Sequence, residues 1–358
     1  MKYIILVPDG MADHPVKSLG DKTPCEAADT PNMDYLAKNS LTGMAQTFFE
    51  GLPYDSSIAN TAIMGYDPRK YFCGRSPLEA ANLGIELGIG DISLRCNLVT
   101  VKDGRMSDFT AGHITSDESK QIFKTLSDML GSEGVEFYPG VSYRNILVLR
   151  KNTKPDLDFK AHQPHDIVGE EIAKYVTEAT SNSGGATAEL LNRLTVKAHD
   201  ILLKHPVNER RLRDGLNPAT DIWLWGAGDR PGMPSFKKMY GIDGSLVSAV
   251  DLLNGLAKVI GLRVLKVAGV TGYLDTNYEG KADAALESLD EVDLTYIHIE
   301  STDESGHEGN IEHKLKAIED IDKRVVGRIL DKIEGDYRIV MIPDHPTPVE
   351  IKKHTNEP

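Results

Sequence analysis

Leu294-Thr295-Tyr296-Ile297-His298-Ile299-Glu300-Ser301-Thr302-Asp303-Glu304-Ser305-Gly306-His307 is an apolar run of strand length leading into an acidic, histidine-bearing segment. Residues 294–299 read as a buried strand. The residues after them place Asp303 and His307 just beyond its carboxyl end. The same pattern occurs twice more. Residues 3–7 form an apolar run that stops at Pro8-Asp9-Gly10, and residues 338–342 lead to Asp344-His345, with His354 a short loop further on. Residues 221–225 and 263–267 are further strand candidates. Helical stretches lie between them at 245–260, 282–289 and 313–333. Thr30-Pro31-Asn32-Met33 opens another helix, with Thr30 suited to the cap and Pro31 to the first turn. This alternation predicts an α/β fold with a mostly parallel sheet and helices on both faces.

The middle of the chain reads differently. Residues 95–101, 134–139 and 143–150 look like strands around one helix near 117–130. The pattern predicts a small α+β domain at 92–168, inserted into a discontinuous domain of 1–91 and 169–358. Ser181-Asn182-Ser183-Gly184-Gly185 reads as a loop or hinge.

Composition narrows the function. The chain has 358 residues, with 40 Lys+Arg against 54 Asp+Glu and a net charge of −14. That balance argues against a nucleic-acid backbone as partner. No stretch approaches the about 20 apolar residues of a membrane span, and the first apolar run is too short for a signal peptide. Three scattered cysteines, Cys25, Cys73 and Cys96, fit a reducing cytoplasm and show no zinc-ribbon spacing. There is no phosphate loop, since Gly280-Lys281 is followed by Ala282. Gly226-Ala227-Gly228-Asp229-Arg230-Pro231-Gly232 is spaced wrongly for a dinucleotide site, and no G-x-S-x-G elbow occurs.

Ligands of open parallel sheets gather at the carboxyl ends of strands. Asp9, Asp303, His307, Asp344, His345 and His354 all fall at that edge. Each alone also reads as a helix cap or a turn residue, but their convergence points to divalent metal, with enough ligands for a pair of ions. A nucleophile is less visible. In Gly51-Leu52-Pro53-Tyr54-Asp55-Ser56-Ser57 a serine at a helix start could face a metal, or could simply cap the helix.

The longer strings are more specific. They are Val7-Pro8-Asp9-Gly10, Thr23-Pro24-Cys25-Glu26-Ala27-Ala28-Asp29-Thr30-Pro31-Asn32-Met33-Asp34, Gly65-Tyr66-Asp67-Pro68, Gly74-Arg75-Ser76-Pro77-Leu78-Glu79-Ala80, Arg95-Cys96-Asn97-Leu98, Asp303-Glu304-Ser305-Gly306-His307-Glu308-Gly309-Asn310 and Asp344-His345-Pro346-Thr347-Pro348. Through them the sequence resembles the archaeal-type cofactor-independent phosphoglycerate mutases of the alkaline phosphatase superfamily. The resemblance implies an alkaline-phosphatase-like α/β fold with an inserted domain. It implies a glycolytic and gluconeogenic isomerase interconverting 3-phosphoglycerate and 2-phosphoglycerate without 2,3-bisphosphoglycerate. It also implies two divalent ions, with Mn²⁺ ahead of Mg²⁺, Zn²⁺ or Co²⁺, a small phosphorylated substrate, and a possible homo-oligomer.

Carried over by position, the resemblance gives one metal site as Asp303, His307 and His354, and the other as Asp9, Ser56, Asp344 and His345. It makes Ser56 the nucleophile that forms a phosphoserine, with Ser57 a rival because relatives usually have Gly-Ser-Asp in this turn. Relatives usually continue past the segment matching His354-Thr355, which predicts weaker anchoring of His354. The insert is expected to act as a lid that excludes water. Arg75, Arg95, Arg144, His165, Arg230 and Lys281 are expected to grip carboxylate and phosphate, with His113 as general acid/base. Related sequences that share Gly-Arg-Ser-Pro-Leu-Glu-Ala and Asp275-Thr276-Asn277-Tyr278-Glu279-Gly280-Lys281 have been proposed as homoserine kinases. A kinase and a metal-dependent phosphatase are therefore the alternatives.

Overall fold

The computed structural model describes residues 1–357 and divides into two compact units. One comprises Met1–Phe72 and the chain from Gly232 onward; the other is Cys73–Pro231.

The first unit is built on a five-stranded, wholly parallel sheet. Its order is Arg263–Val264, Gly244–Val247, Leu294–Ile299, Lys2–Pro8, Tyr337–Met341. The two central strands are apolar because both of their faces are covered. Along one face Ile4, Leu6, Val247, Ile297 and Ile299 pack against Tyr278, Ala282, Ala285 and Ile321, from helices Tyr278–Ser288 and Ile311–Ile321. By the two-residue period of a strand, Tyr296 and His298 face the other way. Register pairs Pro8 with Ile299, so Asp9 and Glu300 leave the sheet at the same level. The Asp9 N–H still bonds the Ile299 carbonyl at 2.9 Å, one step beyond the strands.

Local readings shift in three places. Residues 245–247 belong to a strand rather than to the helix expected over 245–260, which is confined to Asp251–Val259. Helix Pro31–Lys38 forms where expected, but Thr30 gives it no side-chain cap. The Asp322 carboxylate does so instead, accepting from Met33 N at 2.7 Å and Asn32 N at 3.4 Å. The long helix expected over 313–333 is broken by a π turn, Asp322–Val326, which carries that aspartate.

The second unit holds an antiparallel sheet. Strand Ile92–Lys102 pairs with Arg144–Leu149, Arg105–Asp108 and Asp221–Asp229, and Val135–Val141 flanks Arg144–Leu149. The unit therefore reaches well outside 92–168, for two physical reasons. Asp221–Asp229, expected in the parallel sheet, hydrogen-bonds along Ile92–Val99. Helix Gly185–Leu202 puts Leu191, Leu194, Ala198 and Leu202 into one core with Leu94, Leu98, Phe123, Ile222 and Leu224. Ser181-Asn182-Ser183 is a turn inside this unit, its Ser181 and Ser183 hydroxyls donating to Asp158 at 2.6 and 2.8 Å.

Candidate active site

The Pro8-Asp9-Gly10 turn makes room for the site. Gly10 has φ +60°, and a Cβ there would meet Asp303 Oδ1 and Thr347 Oγ1, both at 2.6 Å, so glycine alone fits. Around this turn the first unit gathers Asp9, Ser56, Asp303, His307, Asp344, His345 and His354. Asp9, Asp303, Asp344 and His345 are buried; Ser56 and His354 are half-buried, and His307 is more open.

Hydrogen bonds fix three imidazoles with the same outward face. His307 Nδ1 donates to the Lys352 carbonyl at 3.0 Å, and His354 Nδ1 to the Tyr54 carbonyl at 3.1 Å. Thr347 gives its hydroxyl proton to Asp303 Oδ1 at 2.5 Å, so it accepts from His345 Nδ1 at 3.2 Å. Each Nε2 then presents a lone pair. His345 Nε2 faces Asp9 Oδ1 at 3.4 Å, Asp344 Oδ2 at 3.5 Å and Ser56 Oγ at 3.2 Å. His307 Nε2 and His354 Nε2 lie 3.1 Å apart and face Asp303 at 3.3 and 3.5 Å. Lone pairs meeting carboxylate oxygens at these distances require a proton or a cation between them.

The electrostatics agree. Burial, then Asp344, Asp303 and Glu300, push the Asp9 carboxyl well above its ordinary range. Burial also pushes Asp303 up, but hydrogen bonds with His307 and His354 reverse this and hold it well below. The bond to Asp303 in turn raises His307 to about 9, whereas burial lowers His345. Asp9 Oδ1 is buried without a hydrogen-bond partner, which in a native site calls for explanation. Ligand atoms of Asp303, His345 and His354 lie within 4.8 Å of one another, as do those of Asp9, His298 and Asp344. Oxygen and imidazole donors of this kind fit divalent metal.

Two further groups beside these side chains come from strand Leu294–Ile299, and both were missed in the sequence because they sit in a run that reads as core. Tyr296 donates to Asn60 Oδ1 at 2.5 Å, and Asn60 Nδ2 donates to Asp344 Oδ2 at 2.7 Å and to the Ser56 carbonyl at 2.9 Å. His298 Nε2 lies 3.1 Å from Asp9 Oδ2. Lys314, fully buried, pairs with Asp13 at 2.8 Å and ties the Gly10 and Thr347 carbonyls together at 2.9 and 2.7 Å.

Ser56 and Ser57 differ sharply. Ser56 opens helix Ser56–Ile63, capped by Asp55, and its Oγ reaches His345. Ser57 is 1% exposed, and its Oγ has no hydrogen-bond partner.

The residues expected to grip substrate are dispersed. In the second unit Gly226 (φ +61°) interrupts the pairing of Asp221–Asp229 beside Arg95 and lies against Arg75 and Arg95. Arg95, 5% exposed, sits over the Trp225 ring at 4.4 Å and pairs with Glu79, which Arg75 also contacts. Burial, opposed by Glu79 and helped by the charges of Arg75 and Arg144, lowers Arg95 to about 10. His165 meets the edge of Trp225 at 5.7 Å. Arg75, Arg95, Arg144 and His165 thus share one neighbourhood. His113 is exposed at φ +50° in a separate turn, and Arg230 is an exposed strand-end residue. Lys281 belongs to the first unit and is wholly buried, donating to the His298 carbonyl at 3.1 Å.

A parallel α/β unit with serine, carboxylates and imidazoles at its strand ends defines a class of metal-dependent phosphoryl-transfer enzymes. The family model described as 2,3-bisphosphoglycerate-independent phosphoglycerate mutase matches residues 37–208. Proteins of that name are 46% identical in Methanosarcina barkeri and 48% in Methanothrix thermoacetophila, with all of this chain and 89% of each relative aligned. A solved Pyrococcus horikoshii protein is 30% identical with a TM-score of 0.80, over 99% of this chain and 85% of that one. The cofactor-independent phosphoglycerate mutase of Thermoplasma acidophilum is 28% identical with a TM-score of 0.65, over 95% and 86%. The chain belongs to the 2,3-bisphosphoglycerate-independent phosphoglycerate mutase family. Among the described residues no helix is long and apolar enough to cross a membrane.

Proposed function

We propose that this chain is a phosphoglycerate mutase that interconverts 3-phosphoglycerate and 2-phosphoglycerate through a phosphoserine on Ser56. The observation that carries the mechanism is the convergence of three fixed Nε2 lone pairs on Asp9, Asp344 and Asp303 with Ser56 Oγ beside them. Asp303, His307 and His354 would hold one divalent ion, and Asp9, Asp344, His345 and Ser56 the other, with Mn²⁺ the leading choice. When bound, such ions neutralise phosphate charge and acidify a coordinated hydroxyl.

The chain's own residues supply the rest. Ser56 gives up its hydroxyl proton as its Oγ attacks the phosphorus, the bond to the glycerate oxygen breaks, and that oxygen takes a proton. Glycerate then presents its other hydroxyl, which loses its proton and bonds the phosphorus as the bond to Ser56 Oγ breaks, and Ser56 Oγ takes back a proton. Phosphoryl transfer needs positioning and charge compensation more than covalent help. Asn60 serves the positioning by bonding both the Ser56 carbonyl and Asp344. The Arg75–Arg95–Arg144 group is the candidate to bind the substrate's carboxylate or phosphate, the geometry guanidinium suits. His113 is the candidate proton carrier for the glycerate hydroxyls.

The test is incubation with 3-phosphoglycerate and Mn²⁺ without 2,3-bisphosphoglycerate or nucleotide. Formation of 2-phosphoglycerate, abolished by EDTA and restored by Mn²⁺, is expected. Full activity in protein that elemental analysis shows to be metal-free would overturn the metal reading. Release of free phosphate alone would indicate a phosphatase, and strict need for ATP with homoserine a kinase.

A further inference from the structure

We infer that Lys314 and Asp13 are a buried positioning pair that holds two loops, 9–13 and 344–349, in ion-binding geometry before any ion arrives; this rests on the metal-site reading above. Lys314 lies in helix Ile311–Ile321, and the side chains of Lys314 and Asp13 are 0% and 1% exposed. Three acceptors surround Nζ: Asp13 Oδ2 at 2.8 Å, the Gly10 carbonyl at 2.9 Å and the Thr347 carbonyl at 2.7 Å. The Ala12 carbonyl stands further off, at 3.4 Å. A carbonyl can only accept, and an ammonium has three protons and no lone pair, so its donors are matched one to one. Asp13 is used as fully. Its Oδ1 accepts from the His14 amide at 2.8 Å, and its Oδ2 from the Val349 amide at 3.1 Å as well as from Lys314.

These partners belong to the two loops that carry most of the proposed ligands. Gly10 and Asp13 lie on the loop of Asp9; Thr347 and Val349 lie on the loop of Asp344 and His345. The loops also bond each other directly, Gly10 N to Asp344 Oδ1 at 3.1 Å and Thr347 N to the Ala12 carbonyl at 3.2 Å. From the second loop the Thr347 hydroxyl reaches Asp303, and the Pro346 carbonyl accepts at 3.2 Å from the Thr355 amide, next to His354. Without an ion, Asp344 and Asp303 act on Asp9 as like charges, and that repulsion works to part the loops. Lys314 opposes it from behind, as a cation bound to the loops' backbone. It reaches none of the proposed ligand atoms and therefore leaves them free for metal. Partners that orient ligands from behind usually matter about ten- to hundredfold in metal affinity.

Two variants and an exchange experiment test this. Lys314→Met keeps the length of the side chain but removes all three donors, and Asp13→Asn keeps an acceptor for Nζ but not its charge. Mn²⁺ affinity is measured by calorimetry, thermal melts are recorded with and without Mn²⁺, and amide hydrogen exchange is followed in metal-free protein. In the native metal-free protein the amides of Gly10, Thr347 and Val349, all hydrogen-bonded from one loop to the other, should be protected. Lys314→Met should lose that protection and bind Mn²⁺ about ten- to hundredfold more weakly. Mn²⁺ should then raise its melting temperature less than that of the native protein. Asp13→Asn should show the same changes to a smaller degree. A pair that only stabilises the fold would lower both melts together and leave Mn²⁺ affinity native, and that result would overturn the inference. So would free exchange of the three amides in native metal-free protein, a result that decides even where Lys314→Met does not fold. A native protein that keeps these amides protected but binds no Mn²⁺ would instead overturn the metal reading itself.

Discussion

Ser56 and Ser57 are adjacent in sequence, yet one helical step separates an oxygen beside His345 from one sealed in the core. Replacing Ser57 by Ala removes a buried hydroxyl with no hydrogen-bond partner, so Ser57→Ala should keep turnover within about threefold and leave stability unchanged or slightly raised. A steady-state assay and a thermal melt check this; loss of turnover comparable to that of Ser56→Ala would transfer the nucleophile's role. At this scale the sequence was informative where a residue ends a strand. Asp9, Asp303, Asp344 and His345 stand out because polar ligand-type residues follow apolar runs. His298 and Tyr296 were hidden for the converse reason. They lie inside the run, where a single buried histidine or tyrosine reads as core, and only the tertiary neighbours Asp9 and Asn60 bring them to the site.

Long-range partners decide how several elements end. Helix Pro31–Lys38 takes its cap from Asp322, and no window around Thr30 could have shown that. Asp322→Ala should cost about 1 kcal/mol or more of stability, the usual worth of a cap, while Thr30→Ala should cost much less. Denaturant unfolding of the two variants measures the difference, and equal losses would contradict the assignment. The turn before strand Ile92–Lys102 supplies a pH-dependent case. Burial pushes Asp91 up, but hydrogen bonds from Arg150 and from the Gly88 and Lys151 amides more than reverse it. Glu136 is lowered mainly by its bond to Arg150. Carboxyls depressed in the folded state add stability that is fully present above the ordinary carboxylate range, and it is lost as pH falls through their depressed values. Melting temperature should therefore drop below about pH 4, and Asp91→Asn should be less stable at neutral pH but less sensitive to acid. Parallel acid profiles for the two proteins would contradict this.

The two units were unequally legible. The parallel sheet announced itself through apolar runs alternating with helical stretches, and the gathering of carboxylates and imidazoles at its edge followed from that order. The second unit was drawn too small because Asp221–Asp229 is an apolar strand like any other, and nothing local tells whether its partner runs parallel or antiparallel. Its arginines were individually visible, but their shared neighbourhood depends on the irregular pairing at Gly226, a position whose glycines had suggested only a failed nucleotide motif. The chemistry of the whole molecule is tested most directly by trapping the phosphoryl group in transit. Protein loaded with Mn²⁺ is mixed with 3-phosphoglycerate carrying ³²P, quenched in acid within one turnover, digested and mapped. The account predicts label on the peptide carrying Ser56, label in 2-phosphoglycerate and little in free phosphate, with protein label absent and isomerisation down at least about a thousandfold in Ser56→Ala. Label on another residue, or normal isomerisation by Ser56→Ala, would contradict it.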